Sequence, residues 1–143
     1  MVKMIGKKKK RSKGITSKAK KKRAVARAII KKGKGIVKTN KRNLETMKPD
    51  YLNEFIRDPL ELARPLSEKV NISVNVKGGG SESQIEASRL SIARALVEKT
   101  KDDKLKKAFT DYDKNLLVAD TRRKETYKPG DSKARKKRQK SFR

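Results

Sequence analysis

The chain has 143 residues, enough for one domain with a modest core, and 43 Lys and Arg residues against 16 Asp and Glu residues give it a net charge of +27. Because so much charge of one sign repels itself, the composition indicates a polyanionic partner. The chain has no Cys and no His, which excludes disulfide bonds, thiolate or imidazole metal ligands, and catalysis by an imidazole base.

Apolar runs are short throughout the chain. None approaches the roughly 20 residues that a membrane-spanning helix needs. The basic N-terminus, MVKMIGKKKKRSKG, lacks the apolar stretch of a secretory signal. We therefore expect a cytosolic or nuclear protein that is not associated with a membrane.

The charge is concentrated at the two ends of the chain. Residues 1–23 carry 12 basic and no acidic residues, and residues 121–143 carry 11 basic and 2 acidic residues. Residues 24–120 are nearly balanced, with 20 basic and 14 acidic residues. Blocks of like charge are typical of segments that are disordered until they bind a partner. We predict one domain over residues 24–120, between a basic N-terminal extension (1–23) and an extended basic C-terminal tail (121–143).

Two apolar segments near the start of this domain predict a β-hairpin. The stretch RAVARAII (residues 23–30) and the stretch GIVKTN (residues 35–40) are rich in branched or small apolar residues. The sequence KKGKG between them supplies two glycines for a turn.

The stretch PDYLNEFIRDPLELARPL (residues 49–66) predicts the first helix. A proline suits its first turn, and Leu52, Phe55 and Ile56 follow at helical spacing. Pro59 and Pro65 are expected to limit this helix and to make the rest of the stretch irregular.

The stretch VNISVNVKGGG (residues 70–80) predicts a half-buried strand, because apolar and polar residues alternate in it. Its apolar positions are Val70, Ile72, Val74 and Val76. A helix is predicted over residues 82–99, where Ser81 and Gln84 have the spacing of a capping box. Its apolar stripe consists of Ile85, Ile92 and Leu96.

The last predicted elements of the domain are short. Residues 102–110 favour a third helix with Leu105, Ala108 and Phe109 as its apolar residues. NLLVAD at residues 115–120 is the last apolar patch before the tail.

Three consecutive glycines, Gly78, Gly79 and Gly80, join the predicted strand directly to the second helix. One interpretation is that they permit a tight turn and close backbone packing. The other is that the junction, with Lys77, presents backbone amides to a phosphate of an RNA backbone. The spacing matches neither a P-loop nor a dinucleotide fingerprint, so nucleotide hydrolysis is not expected.

The carboxylates offer no catalytic arrangement. Asp102, Asp103, Asp111 and Asp113 lie among five lysines, which indicates a solvated, salt-bridged helix face. No acid–base pair and no nucleophile beside an activating group can be identified. We therefore predict a protein that is not an enzyme, with no cofactor, no metal and no small-molecule substrate.

The C-terminal tail is the strongest candidate for an RNA-binding segment. A solubilising or localisation tail is the simpler interpretation, since basic runs are common nuclear signals. Here, however, basic residues are interleaved with Gln139, Ser141 and Phe142, a mixture suited to phosphates, sugars and the face of a base. The candidate RNA ligands in the tail are Arg122, Arg123, Lys133, Arg135, Lys136, Lys137 and Arg138.

Five separated blocks resemble, in order, the family of the universal ninth protein of the small ribosomal subunit, in its archaeal and eukaryotic branch. They are NVKGGG, IEASRLSIARALVE, YDKNLLVADTRR, YKPG and ARKKRQKSFR. With GKGIVKTN and IRDPLELA, the resemblance covers about residues 22 to 143.

The resemblance implies an α+β fold with a four-stranded sheet, packed helices and a left-handed βαβ crossover. It also implies a place in the head of the small subunit, with ribosomal RNA of the 3′ major domain and neighbouring subunit proteins as partners. In this family the end of the tail approaches transfer RNA in the P site. That role falls on Arg143 and Lys140.

The chain departs from the family pattern in three places. Phe142 replaces the usual Tyr, Thr121 stands where Pro is usual, and the lysine-rich residues 1–21 extend beyond the common start. The prediction is a structural RNA-binding protein of the small subunit in the cytoplasm. The alternative is a free nucleic-acid compactor with two basic arms, which would not need a fixed C-terminal residue.

Overall fold

The computed structural model describes residues 14–46 and 50–127, where five strands form one mixed sheet and three helices lie on one side of it. The strands are β1 (Ile15–Lys21), β2 (Ala24–Lys32), β3 (Val37–Thr39), β4 (Arg42–Asn43) and β5 (Val70–Lys77). The helices are α1 (Asp50–Leu62), α2 (Ser81–Thr100) and α3 (Asp103–Tyr112). The predicted α+β class is confirmed, although the sheet has five strands where the resemblance implied four.

The strand order across the sheet is β1-β2-β5-β3-β4. β2 is antiparallel to both β1 and β5, whereas β3 and β5 are parallel. Parallel neighbours need a long crossover connection, and here the chain passes from β3 to β5 through α1. The left-handed sense of this crossover, implied by the resemblance, stays a prediction.

β1 lies within the stretch that the sequence assigned to the N-terminal extension. It pairs with β2 over its whole length, from Ile15 opposite Ile30 to Lys21 opposite Ala24. Ser17 is buried, as is the alanine two residues later. The sheet therefore begins before the predicted boundary at residue 24, because lysines on one side of a strand do not prevent small residues on its other side from packing.

The predicted hairpin between residues 23–30 and 35–40 is wrong. Both stretches contain strands, β2 and β3, but β5 lies between them in the sheet. The loop between β2 and β3 is hydrogen-bonded to the start of β5. The amide of Gly33 donates to the carbonyl of Lys69 at 3.0 Å. The amides of Lys34 and Ile36 donate to Asn71 Oδ1 at 2.8 and 3.2 Å. These bonds hold the loop across the end of a strand that comes much later in the sequence.

The predicted alternation in β5 and the long helix after it are confirmed. All four apolar residues of β5 are buried, as are Ile85, Ile92 and Leu96 of α2. α2 packs across β1, β2 and β5 and also contacts α1 and α3. Small residues let α2 approach the sheet closely; these are Ala24, Ala26 and Ala28 of β2, with Ala87, Ala93 and Ala95 of the helix, all fully buried.

The helix α1 continues through Pro59 instead of ending before it. A proline inside a helix removes the hydrogen bond to the carbonyl four residues earlier, here that of Phe55, a residue on the exposed side of α1. Pro59 itself is buried. Burial of its ring therefore outweighs one missing bond, and the helix ends only at Leu62. Of the residues predicted to anchor the third helix, Phe109 is buried, while Ala108 is exposed.

The strand-to-helix junction does not contain the predicted capping box. Gly80 is the N-cap residue of α2, so Ser81 is already in the helix, and the Gln84 side chain donates to the carbonyl of Gly78 at 3.3 Å. Gly78 and Gly79 have φ values of 77° and 74°. A Cβ at Gly78 would lie 2.7 Å from the carbonyl oxygen of Arg23. The close packing of backbones at this turn requires glycine.

We expect Gly78→Ala to destabilise the domain by about 2 kcal/mol, because it combines a positive φ with a backbone clash. Gly80→Ser is the matched control: Gly80 has an extended N-cap conformation, a Cβ there would meet no atom within 4 Å, and serine is a favourable N-cap residue. Urea unfolding of the two variants measures the difference. Equal midpoints for Gly78→Ala and the wild type would contradict this account of the turn.

Candidate nucleic-acid interface

The five strands contain no acidic residue, although the chain as a whole has 16. The acidic residues of the described chain lie in helices, in 3₁₀ turns and in connections. Nine basic residues lie in the strands: Lys18, Lys20, Lys21, Arg27, Lys31, Lys32, Lys38, Arg42 and Lys77. The fold therefore separates charges that are mixed along the sequence.

Alternation along the strands divides these cations between the two faces of the sheet. One face carries the buried residues and packs against the helices; we call the other one the open face. Register places Lys18 beside Arg27, Val25 beside Lys77, and Lys38 beside Ser73 on the open face. Six cations lie there with exposed side chains: Lys18, Lys20, Arg27, Lys31, Lys38 and Lys77.

The sequence predicted only Lys77 of these six. A signal for three of the others was present, since SKAKK alternates small residues with Lys18 and Lys20, and AVARAI places Arg27 between two alanines. That alternation became informative only once β1 was known to pair with β2, because a single short strand does not show which residues share a face with other strands.

The predicted glycine junction lies at the end of the sheet where β1 turns into β2. Lys77 is opposite Val25, and Gly79 packs against Ala24, next to the β1–β2 turn. The turn itself adds two exposed cations, Lys22 and Arg23. The structure therefore surrounds the glycines with basic residues from two separate parts of the chain.

The segment leading into the C-terminal tail is fixed to this same end of the sheet by an ion-pair cluster. Lys21, the last residue of β1, contacts Asp120 Oδ2 at 2.7 Å and Glu86 Oε2 of α2 at 2.9 Å. Asp120 also binds the Nη2 atom of Arg122 at 3.0 Å and accepts the Arg122 amide at 2.8 Å. We call residues 117–122 the tail root.

A second arginine also fixes the tail root. Arg94 of α2 donates to the carbonyl of Leu117 through Nε at 3.0 Å and through Nη2 at 2.9 Å, and its Nη1 atom donates to the carbonyl of Lys18 at 3.3 Å. One side chain thus connects the central helix, the edge strand β1 and the tail root. The start of the tail therefore has a defined position at the β1 edge of the sheet, against α2.

The cluster changes the protonation behaviour of its members. Hydrogen bonds from Arg122 and Lys21 hold the pKa of the Asp120 carboxyl well below its usual range. Hydrogen bonds to Asp120 and Glu86 raise the pKa of Lys21. Both shifts favour the charged forms of Asp120 and Lys21.

The predicted candidates fall into two groups. Lys77, the three glycines and Arg122 lie at the glycine end of the sheet, and Arg123 follows as an exposed residue. The remaining candidates lie outside the described residues, as do Phe142 and residues 1–13; these candidates are Lys133, Arg135, Lys136, Lys137, Arg138, Lys140 and Arg143.

Other kinds of site find little support in the described residues. They hold no group of three side chains suited to a metal ion, and none of their helices is long and apolar enough to cross a bilayer. Three members of the aspartate cluster, Asp102, Asp103 and Asp111, are exposed, as the predicted solvated helix face requires. Two members have structural roles instead of ion pairs with the neighbouring lysines. Asp102 caps α3 through the Lys104 amide at 2.9 Å, and Asp113 binds Arg89 at 3.0 Å.

An α+β domain with one covered and one cationic face, and with the start of a basic tail fixed at one edge of its sheet, has the build of a protein that binds a polyanion. The family model of ribosomal protein S9/S16 matches residues 19–143. The small ribosomal subunit proteins uS9 of Methanococcus maripaludis and Thermoplasma volcanium are each 42% identical to the chain. The matches cover 87% and 90% of this chain, and 94% and 98% of the relatives. The chain belongs to the ribosomal protein S9/S16 family, which agrees with the predicted resemblance and with a protein that is not an enzyme.

Asp120→Asn should lower the stability of the domain at neutral pH, since it removes the charge that joins Lys21 to Arg122. The folded-state pKa of Asp120 is depressed, so its contribution is complete above the unfolded-state value of about 4 and is lost as the pH falls below it. The gap in urea midpoint between variant and wild type should be constant from pH 5 to 8 and should narrow below about pH 4.

The matched control is Asp111→Asn, which removes an exposed carboxylate from α3. A gap that is as large at pH 3 as at pH 7 would mean that the charge of Asp120 is not the source of the stabilisation. An equal decrease at neutral pH in both variants would mean that the cluster contributes no more than an isolated surface carboxylate.

Proposed function

We propose that this chain is a structural constituent of the small ribosomal subunit in the cytoplasm, where it binds ribosomal RNA through the open face and the basic tail. The observation that carries the proposal is the charge separation: the described strands contain nine cations and no acidic residue. Membership in the ribosomal protein S9/S16 family supports the ribosome as the particle concerned.

The open face suits a phosphate backbone for a physical reason. Residues two positions apart on a strand are about 7 Å apart, and neighbouring strands are about 4.8 Å apart. The six lysine and arginine side chains therefore start from fixed points, and only their flexible ends lose freedom when they bind phosphates. Their mutual repulsion, which no acidic side chain of the described strands relieves, is reduced when a polyanion lies on them.

The glycine end of the sheet is the second part of the proposed RNA interface. Gly80 is exposed, and it is the N-cap of α2, so the first amides of a 20-residue helix point toward a potential phosphate ligand. Lys77 directly precedes the junction, and Arg122 is held at the same end of the sheet through Asp120 and Lys21. Arg122 is 86% exposed while it binds Asp120, so it can exchange part of this pairing for phosphate.

The tail carries the proposed contact with transfer RNA. The ion pairs of Lys21 and the hydrogen bonds of Arg94 fix the tail root, so the tail starts from a defined point. Lys133, Arg135, Lys136, Lys137 and Arg138 are proposed to bind ribosomal RNA of the 3′ major domain. Lys140 and Arg143 are proposed to reach transfer RNA in the P site, with neighbouring subunit proteins as further partners.

A free nucleic-acid compactor would use the same charges, and sedimentation separates the two functions. Comigration with small subunits after a high-salt wash is expected for a ribosomal constituent. Release into the soluble fraction by that wash, together with binding to bulk DNA, would favour the compactor.

Replacing Lys18 and Arg27 with Gln should weaken binding to small-subunit ribosomal RNA and make it less dependent on salt. Removing one phosphate contact should lower the slope of log K against log salt by about 0.7 to 0.9. The matched control is Lys104→Gln with Lys107→Gln, which removes two exposed charges from α3 on the helix side. Filter binding at several salt concentrations measures both, and an equal effect of the two pairs would place the interface elsewhere.

Removal of residues 140–143 should leave the domain folded and assembled but speed the release of P-site transfer RNA. A charge-assisted hydrogen bond contributes about 1.5 to 3 kcal/mol. Because many other groups hold the same ligand, we expect the off-rate to rise by about one order of magnitude. The full-length chain with Arg143→Lys should hold transfer RNA better than the truncated chain but less well than the wild type. The reason is that a single ammonium charge replaces a guanidinium that can form two parallel hydrogen bonds.

The measurement is dissociation of transfer RNA from purified small subunits that carry the full-length or the truncated chain. Unchanged off-rates at matched salt and magnesium would restrict the tail to binding ribosomal RNA.

A further inference from the structure

The open face of the described sheet carries an apolar depression. Ile29 and Ile36 are 37% and 46% exposed, and both line a depression of about 320 Å³. Lys31, Lys38, Asn71 and Ser73 also line it, and none of its lining residues is acidic. We call it the isoleucine depression.

The walls of the isoleucine depression are held in place by the sheet. Ser73 lies between Ile29 on one side and Lys38 on the other in the strand register. The carbonyl of Ile36 accepts the Ile72 amide at 2.9 Å, and the amide of Ile36 donates to Asn71 Oδ1 at 3.2 Å. A preformed site loses little conformational freedom on binding.

The loop of residues 33–36, which forms one side of the isoleucine depression, is also held in place. The Asn71 side chain lies where a Cβ of Gly33 would be, within 2.0 Å of that position. Any larger residue at position 33 would displace Asn71 and release the amides of Lys34 and Ile36. The glycine is therefore required by the wall of the depression, and not by a hairpin turn.

A single exposed isoleucine on a strand would need no explanation. Here two of them lie together, between two lysines, on a face that the described helices leave uncovered. Lysines repel other cationic segments, and residues 1–13 of the chain itself carry seven basic and no acidic residues. The combination of positive charge and an apolar floor fits a ligand that is anionic along its backbone and apolar on a flat side group.

We propose that the isoleucine depression receives one unstacked base of RNA, while Lys31 and Lys38 bind the phosphates on either side of it. This deepens the proposed function and rests on it. The face of the base packs on Ile29 and Ile36, and the Ser73 hydroxyl and the Asn71 amide nitrogen are placed to reach polar edges of the base or the ribose. Bases inside a duplex are stacked and cannot enter, so the site selects single-stranded RNA.

The chain has no Trp, so Ile29→Trp introduces a single fluorescent reporter in the depression. We expect a 12-nucleotide oligouridylate to quench it strongly, because a base stacks on the indole. Polyphosphate of the same length has no bases, and a 12-base-pair RNA duplex hides them, so both should quench weakly. Tyr112→Trp, at an exposed position of α3, is the control that should respond weakly to all three probes.

A second pair of variants tests affinity without a new aromatic group. In the full chain, Ile29→Ser with Ile36→Ser should weaken oligouridylate binding about five- to tenfold and leave polyphosphate and duplex binding unchanged. Lys31→Gln with Lys38→Gln should weaken the binding of all three and lower the salt slope by roughly one to two. Circular dichroism of each variant checks that the domain is folded.

The outcomes separate the two proposals. If the serine variant binds all three probes like the wild type while the glutamine variant is weaker, the open face binds phosphates, and the base site is refuted. If neither pair changes binding and the fluorescence of the Ile29→Trp variant does not respond, the open face is not the RNA interface, and the proposed function loses its site as well. Weaker binding of the serine variant to polyphosphate would show disturbed packing instead of a missing base contact and would also refute the site.

Discussion

The alternation of side chains along the paired strands is the constraint on which the rest of the molecule depends. On β2 and β5 every second residue is buried against the helices, and the residues between them form the open face. Apolar burial on one face supplies the driving force for folding. The same backbone then holds Lys18, Arg27 and Lys77 at fixed positions on the other face. A shift of register by one residue would bury these cations, so packing of the core and presentation of the charge are determined together.

The acidic residues serve the domain itself and do not neutralise the open face. Asp58 and Asp113 bind Arg89 at 2.8 and 3.0 Å between the helices, and Asp120 with Glu86 binds Lys21 at the tail root. These contacts use the carboxylates to connect elements on the helix side and at one edge. The open face is consequently left with uncompensated positive charge. A polyanion bound there stabilises the folded state, since it binds that arrangement of charges better than the unfolded chain.

The errors of the sequence-based interpretation share a cause. β5 and α2 were predicted correctly, because period-two and helical spacing are local signals in long segments. The hairpin was wrong because β2 and β3 are separated in space by β5, which begins some 30 residues after β3 ends. Pro59 was expected to end α1, but its buried ring outweighs one missing hydrogen bond. In each error a contact with a distant part of the chain overruled a local preference.

Some features of the candidate site follow from the sequence alone, and others depend on the tertiary structure. Composition alone gives this protein a net charge of +27, which indicates a polyanionic partner. Because the chain has no Cys and no His, composition also excludes any chemistry that needs a thiol or an imidazole. Five ordered sequence blocks determined the family. Only the tertiary structure decided that β1 belongs to the sheet, that Lys18, Arg27 and Lys38 share a face with Lys77, and that Lys21 and Arg94 fix the tail root. The physical reason is that charge and periodicity are properties of a segment, whereas a face is made by strand order and register, which depend on hydrogen bonds between segments far apart in the chain.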